Sequence, residues 1–333
     1  MKSIVFTAHN QVELKDLPDP QAATGEVVVD VKTSGICHTD FEVLRGNYGS
    51  SAFPLVPGHE YAGVIAEVGT GVEGFSVGDR VVVDPNLACG ECRACDRGWA
   101  HLCDKLQAYG VTQNGGFAER SVVSASAVHS IGDMSFTTAA LAEPLGCALN
   151  GLQAAQAERA TNALIFGAGP IGLLLALGLR QYPLKEIALV DIDESKLAFV
   201  QDLGFRAIAS GSAELESMKA ETDLVIDATG VTAVASGLVN YIANGGVGLF
   251  FGICPSDVTI PVAPYELFRR QITLAGSHSL NHNIPEALRI MQQVGPQQFD
   301  RVVSPPLPLN DIAHIFTDGL PKGSLKVHCE MNG

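Results

Sequence analysis

The chain is short of positive charge. Its 333 residues hold 21 Lys and Arg against 36 Asp and Glu, a formal net charge of -15, and the pI is near 4.9. Nucleic acids and anionic membranes are recognised by concentrated Lys and Arg, so this balance argues against both as partners. Long hydrophobic runs are missing too: the longest, Ile171 to Leu179, includes two glycines and falls far short of a membrane span. The N-terminal Met1-Lys-Ser-Ile-Val-Phe-Thr-Ala-His-Asn turns polar too soon for a secretory leader. Internal repeats, low-complexity segments and long charge runs are also lacking. These absences leave a cytoplasmic chain with small-molecule partners, and its 47% apolar content is ample for about two ordinary domains.

Cysteine is not scarce. Four of the 8 fall within fifteen residues, as Cys89-Gly-Glu-Cys92-Arg-Ala-Cys95 and then Cys103. In a reducing compartment such a cluster is not held as disulfides, whereas thiolates at C-x2-C-x2-C-x7-C spacing can converge on one tetrahedral zinc ion. Four sulfurs close the shell and leave no position for a substrate. The lobe 89–103 is therefore expected to be structural, with His101 redundant as a ligand, and any chemistry belongs elsewhere.

Residues 1 to about 145 read as short β-branched runs broken by Gly and Pro, for example Gly25 to Lys32 and Val77 to Val83. This predicts a barrel-like β domain. From Thr137 the sequence becomes rich in Ala and Leu, which predicts helix around a break at Pro144. A second pattern opens at Asn162: a buried strand, the turn Gly167-Ala-Gly169-Pro170-Ile171-Gly172, a helix to Arg180 and a strand from Glu186 to Asp191. Strand and helix then alternate through Ser195–Leu203, Leu224–Asp227, Ala233–Ile242, Val247–Gly252 and Ile272–Gly276, the pattern of a doubly wound parallel sheet. After a helix at Pro285–Gln293, the tail Ser324–Glu330 reads as a strand able to return to the first domain.

The glycine turn predicts a dinucleotide site because it follows a strand, opens a helix and precedes an acid at the end of the next strand. Gly167 permits the tight turn, Gly169 the approach of pyrophosphate, and Gly172 close packing of helix on strand. Asp191, with Ile192 beside it, would accept hydrogen bonds from a ribose 2′-OH and repel a 2′-phosphate, favouring NAD over NADP. Asp193 is near enough to share that role, and Lys196 to neutralise it.

Oxidising an alcohol with NAD requires the hydroxyl to lose its proton, which a second, open zinc would ease. Candidate ligands outside the lobe are Cys37, His59, Glu60, Glu143 and Cys147. Singly, each has a plainer reading as a small buried thiol, a core histidine or a helix-start acid.

Together, Gly35-Ile-Cys37-His38-Thr39-Asp40, Gly58-His59-Glu60-Tyr-Ala-Gly63, the four-cysteine lobe and the glycine turn resemble the zinc-dependent medium-chain dehydrogenase/reductase superfamily over essentially the whole chain. The resemblance implies a GroES-like β-barrel catalytic domain at 1–147 containing the lobe, a Rossmann NAD domain at 148–276, and a return to the catalytic domain at 277–333. It implies two zinc ions per chain and a homo-oligomer, dimer or tetramer. Cys37 and His59 match the family's catalytic zinc ligands, and Glu60 the adjacent acid that in some members also binds the metal or exchanges with water. Glu143-Pro144-Leu145 resembles the polyol, sorbitol-type branch, which implies Glu143 rather than Cys147 as the third ligand.

Thr39 matches the hydroxyl of the family's proton relay, and Asp40 the carboxylate that orients the ligating histidine. Glu42 stands where simple alcohol dehydrogenases end the relay in histidine, and reads as an exposed helix residue. The implied reaction is oxidation of a polyol or other secondary alcohol to the ketone, with deprotonation through Thr39 and hydride transfer to NAD near Gly276-Ser-His278-Ser. Simple alcohol, butanediol-type and threonine dehydrogenases are the enzyme alternatives. A catalytically silent NAD-binding protein is the alternative from another class.

Overall fold

The strand Glu26–Gly35 has three different partners. Along its first half it pairs antiparallel with Arg120–Ser124, at its end with His328–Glu330, and along nearly its whole length with Glu60–Val68. Register shifts at Val28/Val29 and Val31/Thr33 bend it, as expected where a strand passes from one neighbour to another. Its valines explain its place at the centre: Val27, Val28, Val29 and Val31 are all buried, so both faces are covered. The seven-stranded sheet built around it runs outward through Arg80–Val83 and Val128–Ser130. Phe6, Phe41 and Phe117 surround the ring of Phe316 in its core.

This sheet belongs to the first of two units, Met1–Pro144 with Leu280–Gly333; the second is Leu145–Ser279. The computed structural model describes residues 1–48 and 53–331. In the second unit six strands lie in parallel, in the order Arg206–Ala209, Glu186–Asp191, Asn162–Phe166, Thr222–Asp227, Ile242–Phe250, Thr273–Gly276. The strand order reverses at Asn162–Phe166. Its neighbour there is Thr222–Asp227, so Gly167 and Ala228 leave adjacent strand ends at the crevice where open α/β sheets bind ligands.

Two local expectations are corrected. The helix after Thr137 does not break at Pro144: Phe136–Ala140 stops at Leu141, and Ala142–Ala154 begins directly after it. Pro144 lies in the first turn of that helix, where no intrahelical N–H is missed. The helix expected to reach Ile242 ends at Gly237, passes through a 3-10 turn at Leu238–Asn240, and Ile242 opens a strand. Among the described residues no helix is long and apolar enough to cross a membrane.

Candidate active site

Strand pairing assembles the buried donor group. Gly35 ends its strand, and Cys37 caps the helix His38–Arg45 two residues later. Gly35 pairs with Glu60 on one side and His328 on the other, so three strands deliver side chains to one spot. There the donor atoms of Cys37, His59 and Glu60 lie within 4.8 Å of one another. Asp40 serves both the helix and the donor group. Its Oδ2 accepts the Cys37 N–H at 2.8 Å, and its Oδ1 lies 3.2 Å from Nδ1 of His59. Burial alone would lower the His59 pKa, but the Asp40 charge, helped by the Cys37 thiol, outweighs it and holds the imidazole well above its ordinary value. With Nδ1 turned to Asp40, Nε2 is the nitrogen left to act as a ligand.

Glu60 is fully buried, and its two oxygens differ. Oε1 accepts from Lys326 Nζ at 2.5 Å, whereas Oε2 has no hydrogen-bond partner among the described residues. A Cβ at Gly35 would fall 2.3 Å from that Oε2, so the carboxylate occupies space that only glycine leaves. Burial works to lower the Lys326 pKa, but Glu60, Cys37 and Glu143 together raise it above its ordinary value. His328 beside it is pushed down to about 3, by burial first and then by Lys326, and stays neutral. One thiol, one imidazole and one carboxylate with an orphaned buried oxygen form a donor set that suits zinc with an open position.

Glu143 lies outside this 4.8 Å group. It sits buried in the first turn of Ala142–Ala154, with its charge acting on Lys326, while Cys147 is half-buried further along the same helix. Thr39 Oγ1 stands 3.6 Å from Cys37 Sγ. Glu42 is not exposed as expected but half-buried. Asn47 and Arg45 hydrogen-bond it and lower its pKa, and His38 lies 3.5 Å away.

In the lobe, the donor atoms of Cys89, Cys92, Cys95 and Cys103 converge within 4.8 Å, without His101. Cys92 and Cys95 sulfurs stand 3.6 Å apart, far beyond a disulfide bond. The N–H groups of Cys89 and Lys105 both donate to Cys103 Sγ at 3.3 Å, the arrangement that steadies a thiolate.

The glycine turn separates what the fold needs from what a ligand needs. Gly167 has φ +103°, and a Cβ at Gly172 would fall 1.8 Å from the Gly167 carbonyl oxygen, so the fold itself requires both. A Cβ at Gly169 would meet nothing within 4 Å and its backbone is extended. No side chain caps the helix Pro170–Leu179, leaving its first N–H groups for an anion. Asp191 is tied to this turn: Oδ2 accepts from Ala168 N at 2.8 Å, Oδ1 accepts from Ile192 and Asp193 N, and Lys196 Nζ lies 3.7 Å off. Asp193 instead caps the next helix through Ser195 and Lys196 N–H. The carbonyls of His278 and Ser279 are fixed by Asn150.

Sequence reasoning missed Lys326 and His328. The signal was present as a lone cation inside the apolar tail Leu325-Lys-Val-His-Cys329, because a charge in such a strand needs a buried partner.

Residues 23–133 match the alcohol dehydrogenase GroES-like domain, and 137–331 the glucose dehydrogenase C-terminus. D-altritol 5-dehydrogenase of Agrobacterium fabrum is 50% identical over 321 residues, 95% of each chain. A Sinorhizobium meliloti protein solved with NADP superposes with TM-score 0.92 at 25% identity, covering 99% of this chain and 98% of that one. An Escherichia coli alcohol dehydrogenase solved with NADH gives TM-score 0.88 at 28% identity, covering 99% of each. The GroES-like and glucose dehydrogenase matches together span nearly all of the described sheets, and on that evidence the chain belongs to the zinc-dependent medium-chain dehydrogenase/reductase superfamily, in its polyol dehydrogenase branch.

Proposed function

We propose that this enzyme oxidises a secondary hydroxyl of a sugar alcohol to the ketone, using zinc and NAD. The observation that carries the reading is the Cys37, His59 and Glu60 group, with a buried carboxylate oxygen that no other described residue satisfies. Half-identity to a D-altritol 5-dehydrogenase supports the substrate class. Zinc bound here supplies the positive charge that lets an alcohol ionise near neutral pH, and NAD supplies the hydride acceptor.

Cys37 and His59 hold the ion, and Glu143 completes the set as third ligand. Asp40 fixes the His59 ring, and Thr39 accepts the alcohol proton and passes it on. The half-buried Glu42, engaged by Arg45 and Asn47, supports an exit along the His38–Arg45 helix. Gly167, Gly169, Pro170, Ile171 and Gly172 receive the pyrophosphate. Asp191 and Ile192 meet the adenosine ribose, with Lys196 balancing the acid, and this favours NAD over NADP. Cys89, Cys92, Cys95 and Cys103 hold a second, structural zinc. The catalytic domain spans 1–147, the coenzyme domain 148–276 and the return segment 277–333. The protein works in the cytoplasm as a dimer or tetramer.

The test is zinc per chain together with NADH formation from a panel of hexitols, pentitols, butanediol, threonine and primary alcohols. Two zinc ions and fastest turnover with a sugar alcohol support the reading. Preference for butanediol, threonine or a primary alcohol moves the substrate class, and one zinc with no turnover points to a silent coenzyme-binding protein.

A further inference from the structure

The segment from His278 to His282 is held in a conformation it would not keep alone. Ser279 and His282 lie at φ +55° and +60°, in the left-handed region that side chains disfavour. Such backbone persists only where its surroundings over-determine it. Asparagine amides do this here, one after another. Asn150 Nδ2 donates to the carbonyls of His278 and Ser279, and Asn86 Nδ2 donates to that of Leu280 at 2.9 Å. Asn281 N–H donates to Asn283 Oδ1 at 2.7 Å, across His282, and Asn281 Nδ2 donates outward to Gly98 O at 2.8 Å.

Gly98 belongs to the four-cysteine lobe. Its N–H donates to Cys95 O at 2.9 Å, so the carbonyl that Asn281 grips is tied directly to a thiol-bearing residue. Asn86 stands in the strand Asn86–Leu87, which pairs with Gln107–Ala108 and closes the base of the lobe. The short helices inside the lobe, Arg93–Asp96 and Ala100–Leu102, bury no side chain. A loop without a core takes its shape from its metal, so the position of Gly98 O depends on the four thiols. Asn281 Oδ1 is buried with no partner among the described residues, which leaves the Gly98 carbonyl to orient this amide.

We propose that the lobe clamps the coenzyme segment: Asn281 is a positioning residue that passes the order of the lobe to Ser279 and His278, so that an ordered lobe tightens the binding of NAD. This rests on the reading that zinc fills the lobe and that the coenzyme meets the chain near Gly276 to Ser279. A segment already held in its binding conformation has less freedom to lose when the ligand arrives. Losing the clamp therefore weakens the coenzyme and leaves the alcohol step alone.

The test is NADH affinity, read by fluorescence titration of the full chain in Asn281→Ala, Cys95→Ala and the double variant. Asn281→Ala should raise the NADH Kd about fivefold and the NAD KM by a similar factor. The KM for the sugar alcohol at saturating NAD should stay within about twofold of the parent, a split that general loosening of the fold would not give. Cys95→Ala should weaken NADH at least as much. Because both changes act through one path, the double variant should bind no more weakly than Cys95→Ala alone. Asn281→Asp keeps the size of the side chain but cannot donate to Gly98 O, so it should match Asn281→Ala and serves if the alanine variant does not fold. NADH bound as tightly as by the parent in folded Asn281→Ala or Asn281→Asp, or losses that multiply in the double variant, overturns the proposal and leaves Asn281 a brace of the lobe alone. Failure of the underlying reading looks different: Cys95→Ala would then carry as much zinc as the parent, or the parent itself would bind no NADH.

Discussion

The four thiols of the lobe come from fifteen consecutive residues, three of the thiols half-buried, on largely irregular chain with one short α-helix and one 3-10 turn between. Cys37, His59 and Glu60 come from the ends of two paired strands, with Lys326 supplied by a third segment almost three hundred positions further along the chain than Cys37. The lobe is steadied by local backbone N–H groups donating to sulfur, the buried group by Asp40 and Lys326. Their chemistry follows from these plans. Four thiols satisfy an ion completely, whereas a mixed set leaves room for a substrate oxygen. A local cluster fixes a loop, and a long-range one is only as good as the sheet that builds it.

The largest expected effect separates the two groups by activity. Cys37→Ser should lower kcat/KM by about 10³-fold or more, since a Lewis acid contributes several kcal/mol to such a step. Its melting temperature should stay close to the parent's and its zinc content should drop from two to one. Retained turnover would erase the distinction between the sites.

Cys95→Ala should do the reverse, losing stability before activity. Unfolding followed by circular dichroism should show a loss of about 3 kcal/mol, or roughly 4 °C in Tm for a chain of 333 residues. Zinc should again fall to one per chain, and kcat measured below the new transition should remain within about threefold of the parent. A variant as stable as the parent yet inactive would mean that the lobe takes part in the reaction.

A smaller effect sharpens the comparison through pH. Each thiol must lose its proton to bind metal, so affinity falls with pH more steeply where more thiols bind. Hydrogen bonds from backbone N–H groups, that of Cys95 first, lower Cys92 to about 6, and burial raises Cys95 to about 11. Zinc must displace the proton of Cys95 throughout the neutral range, and as pH falls through 6 Cys92 begins to hold one too. Zinc release to a chelator between pH 7 and 5 should therefore steepen below pH 6 in Cys37→Ser, which keeps only the lobe ion. At the buried site only the Cys37 thiol and the His59 imidazole, itself held above its ordinary pKa, must shed protons, so its slope should be shallower, about half to two-thirds that of the lobe.

The lobe and the glycine turn were legible in the sequence because both are local: spacing alone brings Cys89 to Cys103 together, and Gly167 to Gly172 follow a strand within one turn. The doubly wound sheet was legible for a related reason, since each buried strand is a short apolar run. The helix end at Gly237 was obscured because Ala233–Val239 carries apolar residues on both sides of the boundary, and sheet pairing of Ile242 with Thr222 overrides local preference. Cys37 with His59 could be matched only through resemblance, because strand pairing brings them together. Lys326 escaped notice because its partner lies 266 positions away, and nothing local marks it except an unexpected charge.

The most direct test of the division between the two groups is the visible spectrum of protein carrying cobalt in the Cys37 site and zinc in the lobe. Titration with the sugar alcohol that gives the fastest turnover, with NADH present to prevent reaction, should shift the cobalt bands with a midpoint within about threefold of the KM. Bands that stay unchanged at saturating sugar alcohol, in protein that still oxidises it with NAD, would contradict the assignment of the buried group as the reaction centre.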